Sequence, residues 1–577
     1  MHKLTYLILT LLLATPATAQ DVEGFFGDIK QRLADREYLK IRGRAGARLG
    51  YNYFDDGGSG ARPRNAPFTW NANAGLNFDL LGMQLPFSAA ISSRNTLYNL
   101  PSYSFIGLSP TYKWITLHGG DRSLTFSPYS LSGINFRGGG FELKPGNFYV
   151  AAMRGKLRRA RIQDITAIQS GLDTRYRRMA TGVKFGFDNQ EGTAATVSWF
   201  SSKDELEGTT DSLRRIQPEA NMVLTFSGSH RLSSLVSFNV EYAQSALTRD
   251  VNSPQLADPD GRLNLFGLFD ARTTTGSANA YNGSVVFSPE FATFDVKYER
   301  IAPGYRTHGS LFFQNDVERI TTGARAPLFD NKLNLTASVG FQRNNLNGDQ
   351  AENLNRFIGN VNASWKVSDR VTNTFGVSNF TTTNRLRTIN QANQIVDSIV
   401  IAQTQFSAKA GTTVLLREDG SQTLFANASF QRADLIREDE VQGDQRSNFV
   451  LAMVGYNLKP KDGNYGLNAT LLFHRNETAV VNLSSVGPTL GYQRTMLAEK
   501  LTLRVSSTYS FTSTSFRDPA LGGTDRASLV QVNGGLGYEL GEKQSIDLNT
   551  SLISAATTDF RPGYTDGQIS LQYGLSF

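Results

Sequence analysis

The chain has 577 residues, a formal net charge of +7, 19% charged residues and no cysteine. The absence of cysteine excludes a disulfide framework, and the charged fraction lies below the ~25% of an ordinary soluble domain. Phe and Tyr are abundant, at 37 and 21 residues, as two aromatic girdles of a membrane barrel would require.

Met1-His2-Lys3 is a short basic start, and Leu4 to Ala14 is an almost unbroken apolar run. Pro16 breaks the run, and Ala17-Thr18-Ala19 before Gln20 is a small-x-small cleavage site. This pattern predicts a secretory signal peptide over residues 1–19, because the apolar part is too short to span a bilayer. Removal of Lys3 with it leaves the mature chain at about +6. Residues 20–37 form the expected periplasmic amino-terminal segment. Within it Asp21 to Arg36 reads as a short amphipathic helix, with Phe25, Phe26, Ile29 and Leu33 on one face. Its plainer role is a cap beneath the barrel, its functional one a small plug or a partner-docking helix.

From residue 38 to 577 the chain repeats a strand, a short turn, a strand and a long polar loop. The first strand is expected near Tyr38 to Tyr53. Further on, Leu333, Leu335, Ala337, Val339 and Phe341 alternate with Lys332, Asn334, Thr336, Ser338, Gly340 and Gln342. The same period of two runs from Phe357 to Trp365 and from Tyr465 to Phe473. Successive side chains of a strand point to opposite faces, so each segment has one apolar and one polar face. Tight connections such as Lys144-Pro145-Gly146-Asn147, Asp330-Asn331 and Gly541-Glu542-Lys543 alternate with long ones near Arg154 to Arg175, Gln244 to Ala278 and Arg432 to Gln445. The chain ends on Ile569, Leu571, Tyr573, Leu575 and Phe577, which alternate with small or polar residues. That is the expected closing strand of a transmembrane β-barrel.

The predicted fold is therefore all-β: a single large antiparallel transmembrane barrel of about 26 strands, within a range of 22 to 26. Its short turns are periplasmic and its long loops external, placing it in a Gram-negative outer membrane. No later segment reaches the ~18 to 20 apolar residues of a membrane helix. Strand parity closes if Arg122 to Tyr129 crosses the membrane before a strand starting near Ser132; otherwise that piece folds into the lumen.

A resemblance rests on two stretches. One runs from Tyr112 through Trp114, His118 and Asp121-Arg122 to Leu124-Thr125-Phe126-Ser127-Pro128-Tyr129, and on to Gly138-Gly139-Gly140-Phe141-Glu142. The other is Tyr298-Glu299-Arg300-Ile301-Ala302-Pro303-Gly304-Tyr305 with Asn315-Asp316 downstream. The chain resembles outer-membrane barrel proteins common in Bacteroidota, most without an assigned activity. The resemblance implies location and fold and little about cargo. The barrel is also similar to that of TonB-dependent receptors, which carry a folded plug domain ahead of it. Only Gln20 to Glu37 precedes the first strand here, so uptake through a plug of its own is not expected.

No zinc-type histidine pair, nucleophile elbow, P-loop or dinucleotide fingerprint occurs, so neither enzymatic activity nor a cofactor or metal is expected. The one catalytic candidate is His118 near Asp121 and Ser123, more often a girdle or turn histidine. Asp258-Pro259-Asp260-Gly261, inside the excursion from Ala246 to Arg272, reads as a plain turn rather than a calcium loop. A basic cluster comprises Arg154, Lys156, Arg158, Arg159, Arg161, Arg175, Arg177 and Arg178. At an external rim it would attract phosphates of surface lipid; facing inward it would bias a pore towards anions; the bland alternative is a solvated loop.

Two function classes follow. One is a channel for polar solutes, since a wide barrel lined by Lys, Asn, Thr, Ser and Gln encloses water. The other is a barrel that docks partners in envelope assembly or secretion, its lumen closed by loops such as Ala246 to Arg272. Expected partners are outer-membrane lipid and the barrel-assembly machinery, with periplasmic or surface lipoproteins as further candidates. Nucleic acid is not among them.

Overall fold

The computed structural model describes residues 39–58, 66–80, 83–93, 105–160, 176–205, 217–310, 313–348, 355–386, 399–437, 440–441, 446–461, 463–518, 523–558 and 562–577. The expected signal peptide, the segment from 20 to 37, Arg161 and Arg175 lie outside them.

The strands are β1 Leu39–Asp55, β2 Phe68–Leu80, β3 Met83–Ser92, β4 Phe105–Leu108, β5 Thr111–Tyr112, β6 Ile115–Arg122 and β7 Phe136–Leu143. They continue as β8 Phe148–Arg158, β9 Arg177–Asp188, β10 Thr193–Glu205, β11 Ala220–Arg231, β12 Val236–Thr248, β13 Thr275–Phe287 and β14 Thr293–Ile301. Next come β15 Val317–Leu328, β16 Leu333–Arg343, β17 Asn355–Lys366, β18 Val371–Leu386, β19 Ile399–Leu415, β20 Gln422–Arg437 and β21 Glu440–Val441. The last are β22 Ser447–Leu458, β23 Tyr465–Glu477, β24 Val481–Met496, β25 Leu501–Phe516, β26 Thr524–Gly541, β27 Gln544–Ala555 and β28 Tyr564–Ser576. Because β4 and β5 both pair with β3 and β6, they are two halves of one interrupted strand, and β21 only extends the hairpin after β20. The wall thus has 26 antiparallel strands. It closes where β28 pairs with β1, Leu571 opposite Leu49 and Tyr573 opposite Ala47. Closure leaves no open edge in the wall. Among the described residues no helix is long and apolar enough to cross a membrane.

The two faces can be told apart by packing. One compact cluster of buried side chains touches Ala151 on β8, Ala180, Phe200, Val223, Ala243, Ala280, Ile301 and Val317, one face of eight consecutive strands. A single cluster can reach eight strands of a closed sheet only from its concave side, so this is the lumen face. The convex face carries Leu49, Tyr51, Trp70, Val197, Phe226, Leu471, Ile569 and Leu571, all exposed, a far larger apolar surface than a soluble monomer shows. The terminal strand points Ile569, Leu571 and Tyr573 to this face, as its alternation predicts.

The short turns expected from sequence occur where expected. The strands, however, run further into the external loops than the apolar alternation did. β25 and β26, for example, stay paired through Thr512, Ser513, Thr514 and Ser515. Backbone hydrogen bonds carry a ladder whatever its side chains are, so polar segments extend strands that hydropathy would end. One external connection is also short, since only residues 478–480 join β23 to β24.

Strand parity closes by a route the sequence did not suggest. Tyr112 pairs with Ile115 around Lys113-Trp114, a tight turn inside a run that reads as continuous. Lys113 takes a left-handed φ of 50° there. With that turn in place, residues 123–135 need not cross the wall. Instead of forming a strand between Arg122 and Tyr129, they fold into the lumen, and the next strand starts at Phe136 rather than near Ser132.

Candidate functional site

Two external loops fill one side of the lumen: residues 123–135 between β6 and β7, and, between β14 and β15, residues 302–310 and 313–316. They pair with each other, Leu131 bridging Gly309 in parallel and Ser132 N donating to Gly309 O at 2.8 Å. Leu124, Phe126, Tyr129, Leu131 and Tyr305 are buried between loops and wall. The wall makes room with small residues: Ala151, Ala180, Ala243 and Ala280 face them. Gly182 lies directly under the Phe126 ring, where a Cβ would come within 2.4 Å of Cε2. These loops are the two stretches that carried the family resemblance, and their Pro, Gly and aromatic content was the available signal.

Several polar groups sunk with the loops find partners on the wall or on the other loop, although the buried Ser130 Oγ has none among the described residues. Tyr129 Oη donates to Glu299 Oε1 at 2.6 Å and accepts from Asn282 Nδ2 at 3.0 Å. Tyr305 Oη donates to the Tyr129 carbonyl at 2.8 Å. Lys184 Nζ donates to the Phe126 carbonyl at 2.8 Å, and Thr307 Oγ1 to that of Ser130 at 2.6 Å. Burial and the neighbouring Glu299 carboxylate push the Tyr129 phenol well above its ordinary range, so it stays a donor.

At the far end of the second loop, His308 Nδ1 lies 2.8 Å from Ser202 Oγ and Nε2 3.3 Å from Glu219 Oε2. Arg178 clamps Asp204 with two bonds of 2.7 and 2.8 Å and reaches Glu219 at 3.0 Å. Arg158 approaches Asp204 from β8 at 3.2 Å. Burial, reinforced by Arg178, lowers the His308 pKa to about 4. Glu219 is held well below the carboxylate range, because His308 and Arg178 outweigh the cost of its burial.

The described members of the basic cluster are divided between the two faces of the wall. Arg158 and Arg178 face the lumen but are neutralised by Asp204 and Glu219. Arg154 and Lys156 pair across from Thr181 and Met179, on the convex face. Arg177 is there too, ion-paired with Glu205, and Arg159 is exposed beyond the end of β8. The division follows from strand alternation, with a bulge between Lys156 and Arg158 resetting it.

The long excursion also lies elsewhere than expected. Leu265 packs on Met222, Leu224 and Ala246, with Trp199 and Phe269 beside them. Those wall residues alternate with Phe200 and Val223 and so belong to the convex face. The excursion therefore lies against the outside of β10–β12 and does not close the lumen. Phe266 is left 81% exposed at its tip. Asp260 accepts from the backbone of Arg262 at 3.1 Å, closing the turn.

His118 faces the lumen, 2.9 Å from both Ser109 Oγ and Glu142 Oε1. Asp121 points to the opposite face and binds Arg137, so the expected grouping with Asp121 does not form. Ser109 sits at the break between β4 and β5, and this chain of contacts ties the interrupted strand to its neighbours.

No protein-family model matches the chain, and no curated protein does. Among solved structures, the ferric enterobactin receptor of Pseudomonas aeruginosa is 10% identical over 93% of this chain and 81% of its own, at a TM-score of 0.43. The siderophore receptor PirA of the same organism is 12% identical over 93% and 80%, at 0.40. The Escherichia coli P pilus tip assembly intermediate PapC-PapD-PapK-PapG matches at 12% identity over 94% and 61%, at 0.41. Likeness this low carries no functional inference, and none of it singles out a Bacteroidota family.

Proposed function

We propose that this protein is an outer-membrane channel for polar solutes, narrowed but not sealed by two inward-folded external loops. The observation that carries the reading is the mismatch between lumen and plug. Twenty-six strands at ~4.8 Å spacing and ~40° tilt enclose a backbone cylinder about 50 Å across. Among the described residues, the inward loops pack against eight of those strands. The rest of the inner wall is lined by residues such as Asn71, Asn73, Asn334, Thr336, Ser338 and Gln572, which favour water over lipid. The apolar convex face supports a membrane location, because exposing it to water would be costly. Outer-membrane lipid would contact that face, Arg154 and Lys156 lying where phosphates of surface lipid would sit. Liposome swelling tests the reading: vesicles with the protein should swell in isosmotic small sugars and stay shut to a large dextran. Vesicles that exclude small sugars would contradict it.

A second reading, docking of partner proteins, is favoured by the exposed Phe266 and Leu268 on the outer excursion. Stable partners that co-purify with the wild type and are lost in Phe266→Ser would support it; an identical partner profile would count against it.

A further inference from the structure

Three lumen-facing cations lie close together at the closing seam, on β1. Leu49, Tyr51 and Tyr53 point outward, so Arg42, Arg44 and Arg48 point inward. Their cross-strand neighbours agree: Arg42 lies opposite Asn77, Arg44 opposite Gly75 and Ser576, and Arg48 opposite Asn71 and Gln572. Arg48 Nη2 donates to Ser570 Oγ at 3.0 Å, and no carboxylate forms an ion pair with any of the three among the described residues. Arg122, three strands beyond β2, also faces inward and is held by neutral groups, donating to Ser88 Oγ at 2.7 Å and to the Pro86 carbonyl at 3.0 Å.

The surroundings leave these cations accessible. Arg42 and Arg44 are exposed to the lumen, and a Cβ at Gly75 would have open space around it. Beside Arg48 a recess of about 250 Å³ is lined by Gly50, Thr69, Asn71, Ser92 and Gln568, all neutral. Two-residue steps along β1 put Arg42 and Arg44 about 7 Å apart, with Arg48 about 13 Å further along. Arg42, Arg44 and Arg48 thus share one face of β1 with only Gly46 between them, and exposure to solvent would screen their mutual repulsion.

We propose that the Arg48 recess, approached along Arg42 and Arg44, is a binding site for small solutes carrying a carboxylate or phosphate group. The guanidiniums offer paired donors matching such oxyanions, and Thr69, Asn71 and Gln568 can bind the remaining hydroxyls or oxygens. This rests on the channel reading and assigns the channel a substrate class.

The test compares the full-length mature protein with Arg42→Gln/Arg44→Gln/Arg48→Gln and with the matching triple Lys variant. All should give the same heat-modifiable band. Reversal potentials are measured in planar bilayers across KCl gradients near 0.1 M. Three charges about 10 Å from the ion path, screened by one Debye length, give an anion-over-cation preference of about three- to fivefold. The wild type and the Lys variant should keep this preference, the Gln variant should lose it, and in 1 M salt it should vanish in all. In parallel, calorimetry with pyrophosphate at low salt should show binding to the wild type that the Gln variant lacks. Equal selectivity and equal pyrophosphate binding in wild type and Gln variant would overturn the proposal. Silent bilayers with pyrophosphate binding that depends on the arginines would sink the channel reading and uphold the site. Silent bilayers without such binding would refute both.

Discussion

Phe126 and Gly182 form a test of whether the inward loop is held by fit. Phe126 is buried against the wall, and Gly182 is the wall position its ring covers. Replacing Phe126 with Ala removes a buried ring at a cost of about 3–5 kcal/mol. The barrel ladders do not involve this side chain, so the loss falls on loop docking and should raise local opening about 10²- to 10⁴-fold. Gly182→Ala changes nothing in the loop, yet its methyl would sit 2.4 Å from Phe126 Cε2. Overpacking of that kind costs about 1–3 kcal/mol and should undock the same loop more weakly. In the double variant the methyl enters space the ring has left. The combined cost should then fall short of the sum by most of the Gly182→Ala penalty. The assay is hydrogen exchange at the amides of Phe126, which bonds Leu131 O at 2.9 Å, and Ser132, which bonds Gly309 O. Strict additivity, or native protection in Gly182→Ala, would refute the packing argument.

Other outcomes follow from the same geometry. Tyr129→Phe removes a hydrogen bond to the Glu299 carboxylate and should weaken docking by about 1.5–3 kcal/mol, read as faster exchange at Phe126; unchanged exchange would mean the bond contributes nothing. Because His308 is held at about pKa 4 when docked and near 6.5 when free, the free loop binds more protons between those values. Docking is thus strongest above pH 6.5 and weakens as pH falls towards 4, with Glu219 acting in the same direction below about 4.5; hydroxyl-radical footprinting at Tyr305 should rise on acidification, and a flat profile would contradict this. Leu335→Arg should cost about 2–4 kcal/mol on the lipid face while Ser338→Arg is tolerated, and equal effects on denaturant stability would refute the assignment of the two faces. Deleting residues 567–577 removes the partner of β1 and should abolish the heat-modifiable band; a normal band would sink the closing-strand assignment.

The fold was legible because a barrel wall repeats one local rule. Leu335 and Ser338, or Leu571 and Gln572, declare their faces by alternation alone, and Lys144-Pro145-Gly146-Asn147 declares its turn. The site was less so. Residues 123–135 alternate poorly, and their burial depends on Ala151, Ala180 and Gly182, which are far away in sequence and unremarkable by type. The Arg154 to Arg178 cluster drew attention by density, but density does not reveal that Asp204 and Glu219 cancel its inward members. Arg42, Arg44 and Arg48 carried the fainter, more informative signal: three cations on the polar phase of a strand with no acid on that phase between them. The Lys113-Trp114 turn is not legible in the sequence, since neither residue is a turn former and the left-handed Lys113 is fixed by the pairing of Tyr112 with Ile115.

Single-channel recording of the purified mature protein in a planar bilayer tests the central claim most directly. A narrowed, water-filled lumen predicts steady conductance in the wild type and a larger conductance in Phe126→Ala, where the inward loop is released. A silent bilayer from protein with a normal heat-modifiable band would contradict it.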